Sequence, residues 1–226
     1  MTYTMILTRY VFGNLERLFG NLPILRLTFL ILPFLMRERL YQSFVTYRIE
    51  RARGFQPKLN AGLEKVIATH TEVYERRLPT SDKITHAALK ITADLLTFNG
   101  DSTDKTDPLS IFQAETVNST SLASFFTATM QYLLQKNGLS DRYACQQYTA
   151  ERRSNGKNLH DRYKSPYGGS VFNQERDIVA IIDLKTGEKR FVDPTIFEQM
   201  SIVNIKVEGY YTPSVMKASA QVSEGK

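Results

Sequence analysis

The pattern of apolar and polar positions divides the chain into a helical first half and a strand-rich second half. Residues 3–19 set Tyr3, Leu7, Tyr10, Val11, Leu15, Leu18 and Phe19 at near-helical spacing. Gly20-Asn21-Leu22-Pro23 interrupts, and a second apolar helix is predicted to run to about Arg53, kinked or broken at Pro33. After Gly54-Phe55-Gln56-Pro57, residues 59–76 predict another helix, with Leu63, Val66, Ile67 and Val73 on one face. Ser81 or Asp82 then signals a helix start, followed by Ile84, Ala88, Leu89, Ile91, Leu95 and Leu96. The polar run NGDSTDKTDP, residues 99–108, predicts an exposed and mobile loop.

The stretch TVNSTSLASFFTATMQYLL, residues 116–134, opens a further helix. Its Leu122, Phe125, Phe126, Met130, Leu133 and Leu134 form a buried stripe, and Asn137-Gly138 supplies a glycine stop. Beyond it the period changes. RYACQQYTAERR, DIVAIID, KRFVD and SIVNIKVEGYY are alternating or β-branched runs that predict strands, with a tight hairpin at Lys185-Thr186-Gly187. Helices followed by a meandering sheet predict an α+β fold. The organisation expected is an apolar, Arg-rich helical extension over 1–56, an α+β domain over 57–212, and a disordered tail over 213–226.

Composition narrows this picture. At 42% hydrophobic, with 13 Phe and 12 Tyr, the chain can bury a sizeable core, which argues against wholesale disorder. The single cysteine, Cys145, excludes an intramolecular disulfide and a zinc site built on several thiolates. It suits a reducing compartment, and a cytoplasmic location is expected. Within a predicted strand, Cys145 reads as a small buried hydrophobe.

Charge is unevenly placed. Residues 1–56 hold eight arginines, no lysine and three glutamates, which is +5 of the chain's net +6. The apolar run LPILRLTFLILPFLM, residues 22–36, is interrupted by Pro23, Arg26 and Pro33 and falls short of the roughly 20 residues a membrane span needs. It also lacks the layout of a signal peptide. Residues 1–53 therefore suit a helical hairpin packed on the domain, or a helix meeting a membrane surface or a partner. Nucleic acid is not the expected partner, because the arginines are diluted among apolar residues and no recognition motif appears.

Candidate chemistry centres on the start of the helix near Ser119. There NSTSLA resembles the nucleophile motif of transglutaminase-like domains of the papain-like cysteine-hydrolase group, with Ser119 in the cysteine's place and Leu122 and Ala123 following. NGLSDRY resembles that family's turn into the first strand. ERDIVAIIDLKTGEKRFVDPT resembles its strand, hairpin and strand, with Arg176 at the histidine and Asp193 at the aspartate. The likeness spans roughly residues 107–198. An alternative register puts Ala123 at the nucleophile, leaving none.

The resemblance implies a helix packed on an antiparallel sheet, with Ser119, Arg176 and Asp193 at the three catalytic positions. In the family a thiolate attacks a carbonyl while a histidine, oriented by an aspartate, carries the proton. Arg176 cannot take that role, because its guanidinium stays protonated, and serine is a poor nucleophile without a neighbouring base. A catalytically inactive domain that binds or scaffolds protein or peptide is therefore expected. In it Ser119 or Asn118 caps the helix, and Asp193 pairs with Arg176 across the strands. The competing expectation is residual acyl transfer or amide hydrolysis by Ser119 and Asp193 with a relocated base such as His160. His70 and His86 read as surface or packing residues, and the three histidines show no metal spacing. Gly168-Gly169 reads as a turn and not a phosphate loop. Neither metal nor cofactor is expected.

Overall fold

The structure, a computed structural model, describes residues 39, 41–43, 45–74, 80–154 and 175–210. The expected helices within residues 3–38, His160, Gly168-Gly169 and the tail lie outside these residues.

Val45–Ala52 (β1) is a strand, where the apolar run upstream predicts the end of a helix. Its sequence VTYRIERA alternates: Val45, Tyr47 and Ile49 are apolar, and Thr46, Arg48 and Glu50 polar. That period of two suits a pleated strand. It pairs antiparallel with Tyr143–Ser154 (β4), from Val45 opposite Ser154 to Ala52 opposite Tyr148, with a register shift between Ile49 and Arg51. The sheet therefore begins before the expected domain boundary at residue 56. Glu175–Asp183 (β5) and Lys189–Val192 (β6) complete an antiparallel sheet in the order β1-β4-β5-β6. The β5–β6 connection turns at Gly187, whose φ of 72° lies where a side chain is disfavoured.

Between β1 and β4 the described residues form four helices. Ala61–Tyr74 (α1) buries Leu63 and Ile67, while Val66 is half-buried. Ser81–Leu95 (α2) is capped by Thr80, one residue ahead of the expected Ser81 or Asp82, its side chain accepting from the Lys83 amide. Thr97–Phe98 (β2) runs parallel to Thr116–Val117 (β3), and between them Pro108–Ala114 (α3) is capped by Asp107. Ser119–Lys136 (α4) follows at once and is buried along most of its length. It ends as expected: Gly138 has a φ of 67°, and the Leu139 amide reaches back to the Leu134 carbonyl at 2.8 Å. These are the left-handed residue and long back-bond of a Schellman ending.

The sheet has two buried faces. On one, Cys145, Val179, Ile181 and Val192 pack with Leu122, Phe125, Phe126 and Met130 of α4 and with residues of α1 and α2. On the other, Tyr47, Ala150, Ile178, Ala180 and Phe191 pack with Tyr41, Ile202, Ile205 and Val207. Pro194–Met200 (α5), a helix beginning at the expected turn, adds Ile196 to this far side. The run SIVNIKVEGYY, expected as a strand, makes only a parallel bridge between Val207 and Tyr47. It acts instead as a closing segment. Its Ile205 amide bonds the Phe191 carbonyl on β6, while the Lys206 carbonyl and Glu208 amide bond Tyr47 on β1. One short stretch of chain thus joins the two outer strands of the sheet across its far face.

The small parallel pair is finished by a carboxylate. The Thr97 and Asn99 amides bond carbonyls of Glu115 and Val117, and the Phe98 amide is taken by Glu198 of α5. Burial raises the Glu198 carboxyl above its ordinary 4.5, opposed by the Phe98 amide. With the folded value raised, any stability from this group is present below the unfolded pKa and lost as pH rises through the folded one. Glu198→Gln keeps an acceptor for Phe98 and removes the charge. It is expected to melt above wild type near pH 7, with the gap closing below about pH 4; melting curves at the two pH values check this, and an unchanged gap counts against it.

Candidate functional site

The first turn of α4 is organised by Asn118 and not by Ser119. Asn118 is the N-cap, its Oδ1 accepting from the Ser121 amide at 3.0 Å. Asn118 also donates through Nδ2 to the Ser102 carbonyl at 2.9 Å and to the Asp104 carboxylate. Beside it the Ser121 Oγ accepts from the Lys105 amide at 2.9 Å. The loop expected to be mobile is therefore stitched onto the helix start. Ser119 is the first helical residue and half-buried; among the described residues its hydroxyl has no hydrogen-bond partner. Ala123, the alternative position, is buried in the core.

Strand parity separates the other two candidates from this helix. Successive side chains of a strand point to opposite faces. Along β5, Val179 and Ile181 pack with α4, whereas Ile178 and Ala180 pack on the far face. Asp177 therefore lies on the α4 side and Arg176 on the other. Their contacts agree. The Asp177 carboxylate accepts from Thr149 Oγ1 at 3.2 Å and from Arg53 Nε at 3.1 Å and Nη2 at 2.9 Å. Next to Thr149 on that face, Gln147 holds the α4 start, its Oε1 accepting from Ser124 Oγ at 3.2 Å and its Nε2 donating to the Thr120 carbonyl at 3.3 Å.

Asp193 follows Phe191 in parity and joins the far face. It caps α5, Oδ1 accepting from the Thr195 amide at 2.9 Å and the Ile196 amide at 3.2 Å. Its Oδ2 accepts from the Tyr47 hydroxyl at 2.8 Å. Since Tyr47 spends its proton there, its oxygen receives that of Tyr41, 2.8 Å away. The expected cross-strand partner Arg176 is a neighbour of this chain, its charge acting on both tyrosines together with that of Arg152. Burial pushes the Tyr41 hydroxyl up to about 12, with Asp193 adding to the rise and the two arginines opposing it. Tyr47 is likewise raised well above the ordinary tyrosine value, with burial the leading cause. The Arg176 guanidinium also lies 5.7 Å from the centre of the Phe98 ring.

The structure thus brings Arg176 and Asp193 into one buried cluster and leaves Ser119 on the opposite side of the sheet. Sequence reading passed over Tyr47, Arg53, Gln147 and Asp177. The alternation in VTYRIERA was the available signal for Tyr47. His70 is half-buried on α1, and His86, exposed on α2, meets the edge of Phe197 at 5.7 Å between ring centres. Burial raises the Cys145 thiol to about 12, far from a nucleophile's range.

Among the described residues no His, Cys, Asp and Glu group is arranged to hold a metal, and no helix is long and apolar enough to cross a membrane. Comparison of the chain with protein-family models, curated proteins and solved structures finds no match.

Proposed function

We propose that the protein is a catalytically silent module of transglutaminase-like ancestry that binds or scaffolds another protein. One observation carries this reading: Asp193 is spent on holding the fold, on the sheet face opposite the helix that carries Ser119. Asp193 caps α5 and anchors Tyr47. Arg176 lies across the sheet from α4 and cannot shuttle a proton near neutral pH. The half-buried Ser119 hydroxyl has no base hydrogen-bonded to it among the described residues. A helix packed on an antiparallel sheet accords with the resemblance, whereas the separation of Ser119 from Arg176 and Asp193 departs from it.

A fluorophosphonate probe tests the silence. Wild-type protein should label no more than Ser119→Ala, and specific labelling at Ser119 would mean that an activating base has been overlooked. The binding half is tested by a photo-crosslinking residue at position 119, with the exposed Leu184 as the control site. A discrete adduct at 119 and not at 184 is the expected result; identical adducts at both positions count against the reading.

A further inference from the structure

Between Asn99 and Asp107 the chain contributes no buried side chain. Both ends are fixed. The Asn99 amide bonds the Val117 carbonyl and its side chain accepts from the Asp101 amide. At the other end, Asp107 takes the Ser110 amide and hydroxyl at 2.9 and 2.8 Å and leads into Pro108. Hydrogen bonds to the Ser121 Oγ and the Thr116 carbonyl, and from the Asn118 Nδ2, hold the span between them against the α4 start. A net hydrogen bond of this kind shifts an opening equilibrium by only roughly fivefold. Apolar burial, which makes opening cooperative with the whole domain, is absent from the span. Segments with these properties open locally.

We propose that residues 99–107 form a strap that closes over the start of α4 and opens without unfolding the domain, governing access to Asn118 and Ser121. Closed, it occupies the polar atoms of the first turn with its own backbone and the Asp104 carboxylate. Opening exposes them while α4 and the sheet stay intact. Strap opening does not depend on whether Ser119 reacts or a partner binds, so its test and those of the proposed function fail separately.

Hydrogen exchange on the wild-type chain tests the strap first. The Lys105 amide, bonded to Ser121, should exchange by local opening that low denaturant does not accelerate, while the Val179 and Ala180 amides follow global unfolding. A Lys105 amide with the global denaturant dependence overturns the proposal. A thiol reporter gives a second readout. Ser121 is fully buried beneath the strap, and wild-type protein, whose only thiol is the buried Cys145, is the blank. In Ser121→Cys protein, adding Asp104→Ala removes the charged bond to Asn118 and should speed thiol labelling by roughly tenfold. An unchanged rate in the folded double variant sinks the idea.

Discussion

Asp193→Ala is expected to cost about 3–5 kcal/mol of stability, enough to unfold a marginal domain. The substitution removes one carboxylate and strands three donors: the Tyr47 hydroxyl and the Thr195 and Ile196 amides. All of these lie in the interior, where Tyr47 and Asp193 are both fully buried. A buried donor left without an acceptor costs about 1–3 kcal/mol. The change also withdraws the negative charge that favours the charged form of Arg152. Asp193→Asn supplies the control. Its amide oxygen can still accept from the α5 amides, so roughly half the loss should return. Urea denaturation followed by circular dichroism measures both. A loss below about 1 kcal/mol for the alanine variant would show that Asp193 is not the anchor described above.

The second large effect is expected at Arg53. Its guanidinium grips Asp177 through two nitrogens, with the aspartate 1% and the arginine 23% exposed. Arg53→Ala should cost about 2–4 kcal/mol, towards the low side of buried pairs because solvent reaches the arginine. Thr149 would then be the remaining side-chain donor to a buried carboxylate. The double change Arg53→Met with Asp177→Leu removes both charges and their desolvation cost, and should be less damaging than Arg53→Ala alone. If the double variant is the worse of the two, the pair contributes more than it costs to bury.

Much of the fold was legible from local pattern. α4 declared itself through its stripe of Leu122, Phe125, Phe126 and Met130, and its Asn137-Gly138 stop matches the observed ending. The strands β4, β5 and β6 fell where the runs placed them. β1 was hidden by context: a long apolar stretch before it favoured a helix, and its partner β4 lies about a hundred residues downstream, beyond any local window. The candidate site was legible only as residue types. DIVAIID is apolar throughout its middle, as suits a strand buried on both sides, so the sequence cannot say which alternate set faces α4. A shift of one residue exchanges the faces, and Arg176 and Asp177 are neighbours. The packing partners decide between them, and they put Asp177 toward the helix.

The segment 205–208, which joins β6 to β1, sets the order of events at the ribosome. β1 is made first among the described strands, yet on its outer edge Tyr47 meets its partner only when Lys206 and Glu208 arrive, more than 150 residues later. At roughly 5–20 residues per second, the nascent chain carries that open edge for about ten seconds or longer. An unpaired strand edge is a template for other chains. During synthesis this edge is open to such pairing, whereas in the finished molecule Lys206 and Glu208 occupy the backbone of Tyr47.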